Sequence, residues 1–173
     1  LRKLEALGLV KRSYGGAALV GGENHVLPTS LRESINHSEK SIIAAKAADL
    51  IHDGDSVLLD WSTTVQHMIP HLSKAADITV FTNSVKTSRL LCDCGINTYC
   101  LGGQFLFDSS YVVGSLTEQM LDSIYVNVMF FSALAISPEG DVFEPLEAER
   151  SLRLKMLERS RVKVFMADHG KFE

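Results

Sequence analysis

The chain has 173 residues, 46% of them hydrophobic, and a formal net charge of −4 at neutral pH. That length suits one well-packed domain with a small appendage rather than two large domains. The acidic balance excludes a broad basic surface for nucleic acid. No apolar run approaches the roughly 18–20 residues of a membrane span and no signal-peptide pattern opens the chain, so it reads as cytosolic.

In the first twelve residues Arg2, Lys3, Lys11 and Arg12 stand against Glu5 alone, so any nucleic-acid contact belongs there. Leucines at 1, 4, 7 and 9, stopped by Gly8, suggest the last turns of a helix. Val10 to Gly16 reads as strand, glycine turn and strand, a small hairpin. Residues 21–29 carry Gly, Asn and Pro without periodicity, as a linker does. From about Ser30 to Ile51 the pattern is helical, with Ile43, Ala47, Leu50 and Ile51 on one face and Gly54 suited to the position after its end.

Val57-Leu58-Leu59 is a continuous apolar run, as buried parallel strands show. A helix follows over 64–72 and is interrupted by Pro70. A strand at 78–81, a helix at 85–92 and a strand at 97–101 repeat the unit. Beyond Gly103, short strands are expected around Phe105, Phe107, Tyr111 and Val113, then a helix over 115–121. Val126 to Ile136 reads as a long strand with a bend, 137–141 as a turn, 147–158 as a helix, and 162–167 as a final strand reaching Asp168. This alternation predicts an α/β fold, a mostly parallel sheet with flanking helices and right-handed crossovers.

Three of the strands end in small polar clusters: Asp60-Trp61-Ser62-Thr63-Thr64, Thr82-Asn83-Ser84, and Gly102-Gly103. Parallel sheets bind ligands outside the carboxyl ends of their strands, and hydroxyls with free backbone N–H groups suit an anion. The pattern predicts a pocket for a small polar molecule, most naturally a phosphorylated one. Cys92, Cys94 and Cys100 are odd in number and set in an apolar passage, so buried free thiols are expected rather than a disulfide framework. They lack a local fourth ligand for a metal. His67 and His71 lack the glutamate of a metalloprotease motif, since Met68 follows His67. No metal site or cofactor is expected.

In order, Gly8-Leu9-Val10-Lys11-Arg12, Tyr14-Gly15-Gly16-Ala17, Arg32, Glu39-Lys40, Asp53-Gly54-Asp55, Leu59-Asp60 before Ser62-Thr63-Thr64, Thr82-Asn83-Ser84, Gly102-Gly103, Gly114, and Asp168 with Lys171-Phe172 span nearly the whole chain. Together they resemble the DeoR family of bacterial transcriptional regulators. The resemblance implies a winged-helix DNA-binding domain, of which residues 1–20 would be a remnant, a linker at 21–29, and an effector-binding sensor domain over 30–173. It implies a sensor fold similar to ribose-5-phosphate isomerases and CoA transferases, a sugar phosphate or related metabolite as effector, and a chain truncated at both ends. A regulator serving an operator with two half-sites should self-associate, so a homo-oligomer is expected. The chain departs from the family's pattern at Trp61, where glycine is usual, at Asn127, at Ser132, Leu134 and Ala135, and at Ser151 and Arg153.

The candidate effector residues are Asp60, Ser62, Thr63, Thr64, Thr82, Asn83, Ser84, Gly102, Gly103, Arg153 and Lys171. Each has a plainer alternative. Ser62 to Thr64 and Ser84 suit helix caps. Asp60 could bond backbone N–H groups or a ligand hydroxyl, and Gly102-Gly103 could form a turn or let backbone approach a ligand. Arg153 and Lys155 could be solvated, or Arg153 could point inward to grip an anion. Trp61 could pack in the core or narrow the pocket. A rival function is a sugar-phosphate isomerase in which Asp60, Glu147 or Glu149 is the base.

Overall fold

The structure, a computed structural model, describes residues 10–13, 16–19, 27, 29–106 and 109–172. They fall into two units, one up to Ile35 and one from Asn36 onward. In the first unit β1 (Val10–Ser13) pairs antiparallel with β2 (Gly16–Leu19), Val10 opposite Leu19 and Ser13 opposite Gly16, which is the expected hairpin. It also holds a short helix, α1 (Thr29–Ser34), where Arg32 Nε donates to the Leu27 carbonyl at 3.0 Å. The predicted helical end at 1–9 and most of the linker at 21–29 lie outside the described residues.

The second unit opens with α2 (His37–Ala48). The single helix expected over Ser30–Ile51 is therefore two. Asn36 takes left-handed backbone angles, φ 52° and ψ 38°, which an asparagine tolerates better than most residues. Its amide donates to Asp168 Oδ1 at 2.6 Å, fixing the break. The helix also ends before Gly54, whose φ of 79° serves the turn into β3 instead.

β3 (Ser56–Leu59), β4 (Thr79–Thr82), β5 (Asn97–Cys100), β8 (Val126–Phe131) and β11 (Ser160–Phe165) form one five-stranded sheet in the order β11-β8-β3-β4-β5. Every pairing in it is parallel. β3 lies at the centre with Val57, Leu58 and Leu59 all buried. Its alternating side chains feed two cores. Val57 and Leu59 join Ala44, Met68, Val80 and Phe130 on one face, while Leu58 joins Met129, Leu121, Leu152 and Met156 on the other. An apolar run without alternation is what such two-sided burial demands.

Helices complete both layers. α3 (Thr63–Gln66) is short, and a 3-10 helix over Ile69–Lys74 follows, with Pro70 in its first turn, where its missing N–H costs nothing. α4 (Val85–Asp93), α5 (Ser115–Asp122) and α6 (Glu147–Glu158) match their predicted spans to within a residue or two. Two small antiparallel pairs lie outside the main sheet, β6 (Gln104–Phe105) with β7 (Val112–Val113), and β9 (Ala135–Ile136) with β10 (Val142–Phe143). The long strand expected over 126–136 thus divides between β8 and β9, because the Ser132 N–H turns away to bond Asp60.

Cys92, Cys94 and Cys100 are exposed, contrary to the burial expected of them. They sit at the end of α4 and on β5, the edge strand, where the apolar face is not covered on both sides. Among the described residues no helix is long and apolar enough to cross a membrane, and no group of three His, Cys, Asp or Glu side chains could hold a metal ion.

Candidate functional site

Because all five strands run in one direction, the segments that leave β3, β4, β5, β8 and β11 gather along a single edge of the sheet. At its middle, after β3, Asp60 is wholly buried. Its Oδ1 accepts from the Ser62 N–H at 2.8 Å, and its Oδ2 accepts from the Ser132 N–H at 3.0 Å and from Arg153 Nη1. Asp60 thus bonds backbone N–H groups and a guanidinium. Its carboxylate holds the ends of β3 and β8 together.

Arg153 points inward from α6 and is 5% exposed. Its other donors go to Glu144, Nε at 2.8 Å and Nη2 at 2.5 Å from Oε1. The guanidinium lies 4.3 Å from the centroid of the Trp61 ring and 5.6 Å from that of Phe131. Such dense partnering is required, since an unpaired buried charge costs several kcal/mol. Burial works against the Arg153 charge, but Asp60 and Glu144 outweigh it and hold its pKa above the ordinary value. Burial pushes Glu144 up to about 7, with Arg153 offsetting part of that and the Asp60 charge adding to it. Trp61 is buried and stacks on Tyr111 at 5.2 Å between centroids, and the Tyr111 hydroxyl donates to Glu149 Oε1. Trp61 therefore belongs to the core.

The hydroxyls divide. Ser62 Oγ accepts from the Val65 N–H at 3.3 Å and Ser84 Oγ from the Thr87 N–H at 3.2 Å, so both serve as helix caps. Thr82 Oγ1 accepts from the Ser84 N–H at 3.1 Å. Asn83 is wholly buried and its Nδ2 donates to the Val112 carbonyl at 2.8 Å. Gly102 directs its N–H to Met120 Sδ at 3.2 Å. A Cβ on Gly103 would lie 2.0 Å from Thr117 Oγ1 and 2.9 Å from the Val113 carbonyl oxygen, so that glycine is required by its packing on α5. Both glycines are exposed.

Thr63 and Thr64 are buried, and here the site gains a residue that carried the family resemblance but was not among the effector candidates. Lys40, on α2, is 3% exposed and its Nζ donates to Thr63 Oγ1 at 3.3 Å. It occupies the buried stripe of that helix with Ala44, Ala47 and Ala48. A lysine at helical spacing within an alanine stripe was the available signal. Lys171 lies after β11 and its Nζ donates to the Leu134 carbonyl at 3.4 Å, just beyond the end of β8. After β3, Asp60 thus contacts Ser62 and Arg153, and Thr63 contacts Lys40, with Thr82 to Ser84 on the neighbouring strand end. Of the candidate DNA-binding residues, Lys11 and Arg12 lie on β1, while Arg2 and Lys3 fall outside the described residues.

The family described as the DeoR C terminal sensor domain matches residues 35–173. The chain is 36% identical over 172 residues to the HTH-type transcriptional repressor GlcR of Bacillus subtilis (strain 168), a match covering 99% of this chain and 66% of that protein. It is 31% identical to the L-fucose operon activator of Haemophilus influenzae, covering 100% of this chain and 70% of that one. The chain therefore spans about two thirds of the length of these relatives. In fold it is similar to ribose 5-phosphate isomerase A from Methanocaldococcus jannaschii, with a TM-score of 0.58 at 15% identity over 80% of this chain and 55% of that one. The likeness to the isomerase is one of fold, and the family is given by the sequence relatives and the family model. The chain belongs to the DeoR family of transcriptional regulators and carries that family's C-terminal sensor domain.

Proposed function

We propose that this chain is the sensing part of a transcriptional regulator, a repressor in the simplest case, whose effector is a phosphorylated sugar or a related small anion. The observation that carries this reading is Lys40, a buried ammonium group 3.3 Å from Thr63 Oγ1 at the carboxyl end of the central strand. As a compact, strongly hydrated charge, a lysine ammonium beside a threonine hydroxyl suits a phosphate. Thr63, Thr64, Lys40 and Lys171 would hold the anionic group. Asp60 and Arg153 would position the loops around it. In the whole protein, Arg2, Lys3, Lys11 and Arg12 would contribute to DNA binding, and effector binding would matter to DNA through its preference for one of two arrangements.

The experiment is a thermal-shift screen of this chain against phosphorylated and unphosphorylated sugars. A ligand at 100 times its Kd stabilises the folded state by about 2.7 kcal/mol. Phosphorylated sugars should raise the Tm, and Lys40→Met should abolish the rise. Stabilisation by no phosphorylated compound, or an unaltered response in Lys40→Met, would defeat the proposal.

A second reading, an isomerase-like enzyme, draws support from one atom, the buried Glu149 Oε2, which has no hydrogen-bond partner among the described residues and is the kind of group that could act as a base. Against it, both Asp60 oxygens are engaged and Glu147 is solvated, its side chain 80% exposed. Interconversion of ribose 5-phosphate by the purified chain would establish it.

A further inference from the structure

Buried polar atoms are almost always hydrogen-bonded, so those that are not call for an explanation. Three of the atoms without a partner among the described residues belong to segments linked to the end of β3 through its two neighbouring strands and Trp61. Asn83 Oδ1 follows β4, the strand on one side of β3. Ser132 Oγ follows β8, the strand on the other side, and the Ser132 N–H is bonded to Asp60. Glu149 Oε2 comes from α6, and its partner oxygen is tied to Tyr111, the residue that bridges to Ser84 and stacks on Trp61. The three residues are 0%, 1% and 3% exposed.

Their chemistry is of one kind. The Asn83 amide cannot be turned round, because its nitrogen must face the Val112 carbonyl, so the atom left over is an acceptor. Glu149 Oε2 is an acceptor when ionised, and a serine hydroxyl accepts readily. A wall of acceptors is matched by a ligand that brings hydroxyl donors, and repels a second anionic group. Lys40 and Thr63 stand at the same edge with the opposite preference.

We infer that Asn83, Ser132 and Glu149 form the surface that reads the hydroxyl groups of a polyhydroxylated monophosphate, while Lys40 and Thr63 hold its phosphate. This rests on the effector reading above and assigns the specificity of that site. Such a division makes the hydroxyl pattern the basis of discrimination, since a site built to bond a hydroxyl rejects an analogue that leaves its buried groups unpaired.

The test compares inorganic phosphate with ribose 5-phosphate and glucose 6-phosphate by calorimetric titration of the chain and of two variants. Glu149→Gln keeps an oxygen for Tyr111 and replaces the free acceptor with a donor. Ser132→Ala removes the hydroxyl and keeps the backbone N–H on Asp60, and it carries the test alone if Glu149→Gln unfolds. The unaltered chain should bind at least one sugar phosphate tenfold or more tightly than inorganic phosphate. Each folded variant should lose at least tenfold in that sugar phosphate while its affinity for inorganic phosphate changes less than twofold. Sugar-phosphate affinity unchanged in the variants overturns the hydroxyl-reading surface and leaves the phosphate site standing. Failure of every phosphorylated probe to bind the unaltered chain removes both.

Discussion

Glu144 shows what a shared guanidinium can and cannot do for a buried acid. Arg153 approaches it at 2.5 Å, yet the same group also serves Asp60, and burial still lifts the Glu144 carboxyl to about 7 from an ordinary 4.5. Between those values the folded chain keeps a proton that the unfolded chain has lost. The stability this contributes is complete below about pH 4.5 and is lost as the pH rises through about 7. Urea unfolding from pH 5 to 8 should show the native chain falling relative to Glu144→Gln, by about 3 kcal/mol at most, since each pKa unit is worth about 1.4 kcal/mol. A difference between the two that stays flat with pH would rule this out. At this scale the sequence was partly legible. Arg153 could be named as a cation able to turn inward, but the carboxylates sharing it lie 93 and 9 residues away, and nothing local announces that meeting. Lys40 carried part of the family resemblance, but a charged residue early in a helix is usually solvated, and its burial is marked locally by its place in the alanine stripe.

Elements were read well wherever one strong local signal decided them. Two-sided burial of β3 follows from three consecutive apolar residues, and Pro70 correctly divided the helical stretch after it. Where long-range contacts decide, local pattern fell short. The break at Asn36 depends on Asp168, and the division of β8 from β9 depends on Asp60. Gly103 belongs to the same class, since its reason is α5, fourteen positions along the chain. Gly103→Ala should destabilise the chain by about 1–3 kcal/mol, as overpacking does. Gly102→Ala should have a much smaller effect, because its Cβ would meet only Met120 Sδ at 3.6 Å. Equal unfolding free energies for the two variants, without ligand, would show that Gly103 is not held by α5.

For the molecule as a whole, the parallel sheet and its edge were the most legible feature, because alternation of strand and helix leaves few topologies. Its state of association is an expectation of a different kind. Exposed Val142, Phe143 and Leu146 cluster within five positions on and after β10, more apolar surface than such a short segment needs in isolation. Light scattering of the purified chain should therefore return a mass of at least two copies, and replacing Val142 and Phe143 with serine should reduce it. A single-copy mass for the unaltered chain would count against self-association through this surface. The same whole-molecule view gives Arg153 a further consequence. One side chain touches the turn after β3, the segment before α6, and the rings of Trp61 and Phe131. None of these segments can shift without disturbing the others' partner. A rim tied at one point moves as a unit, and a displacement of any one of these segments is felt by the rest.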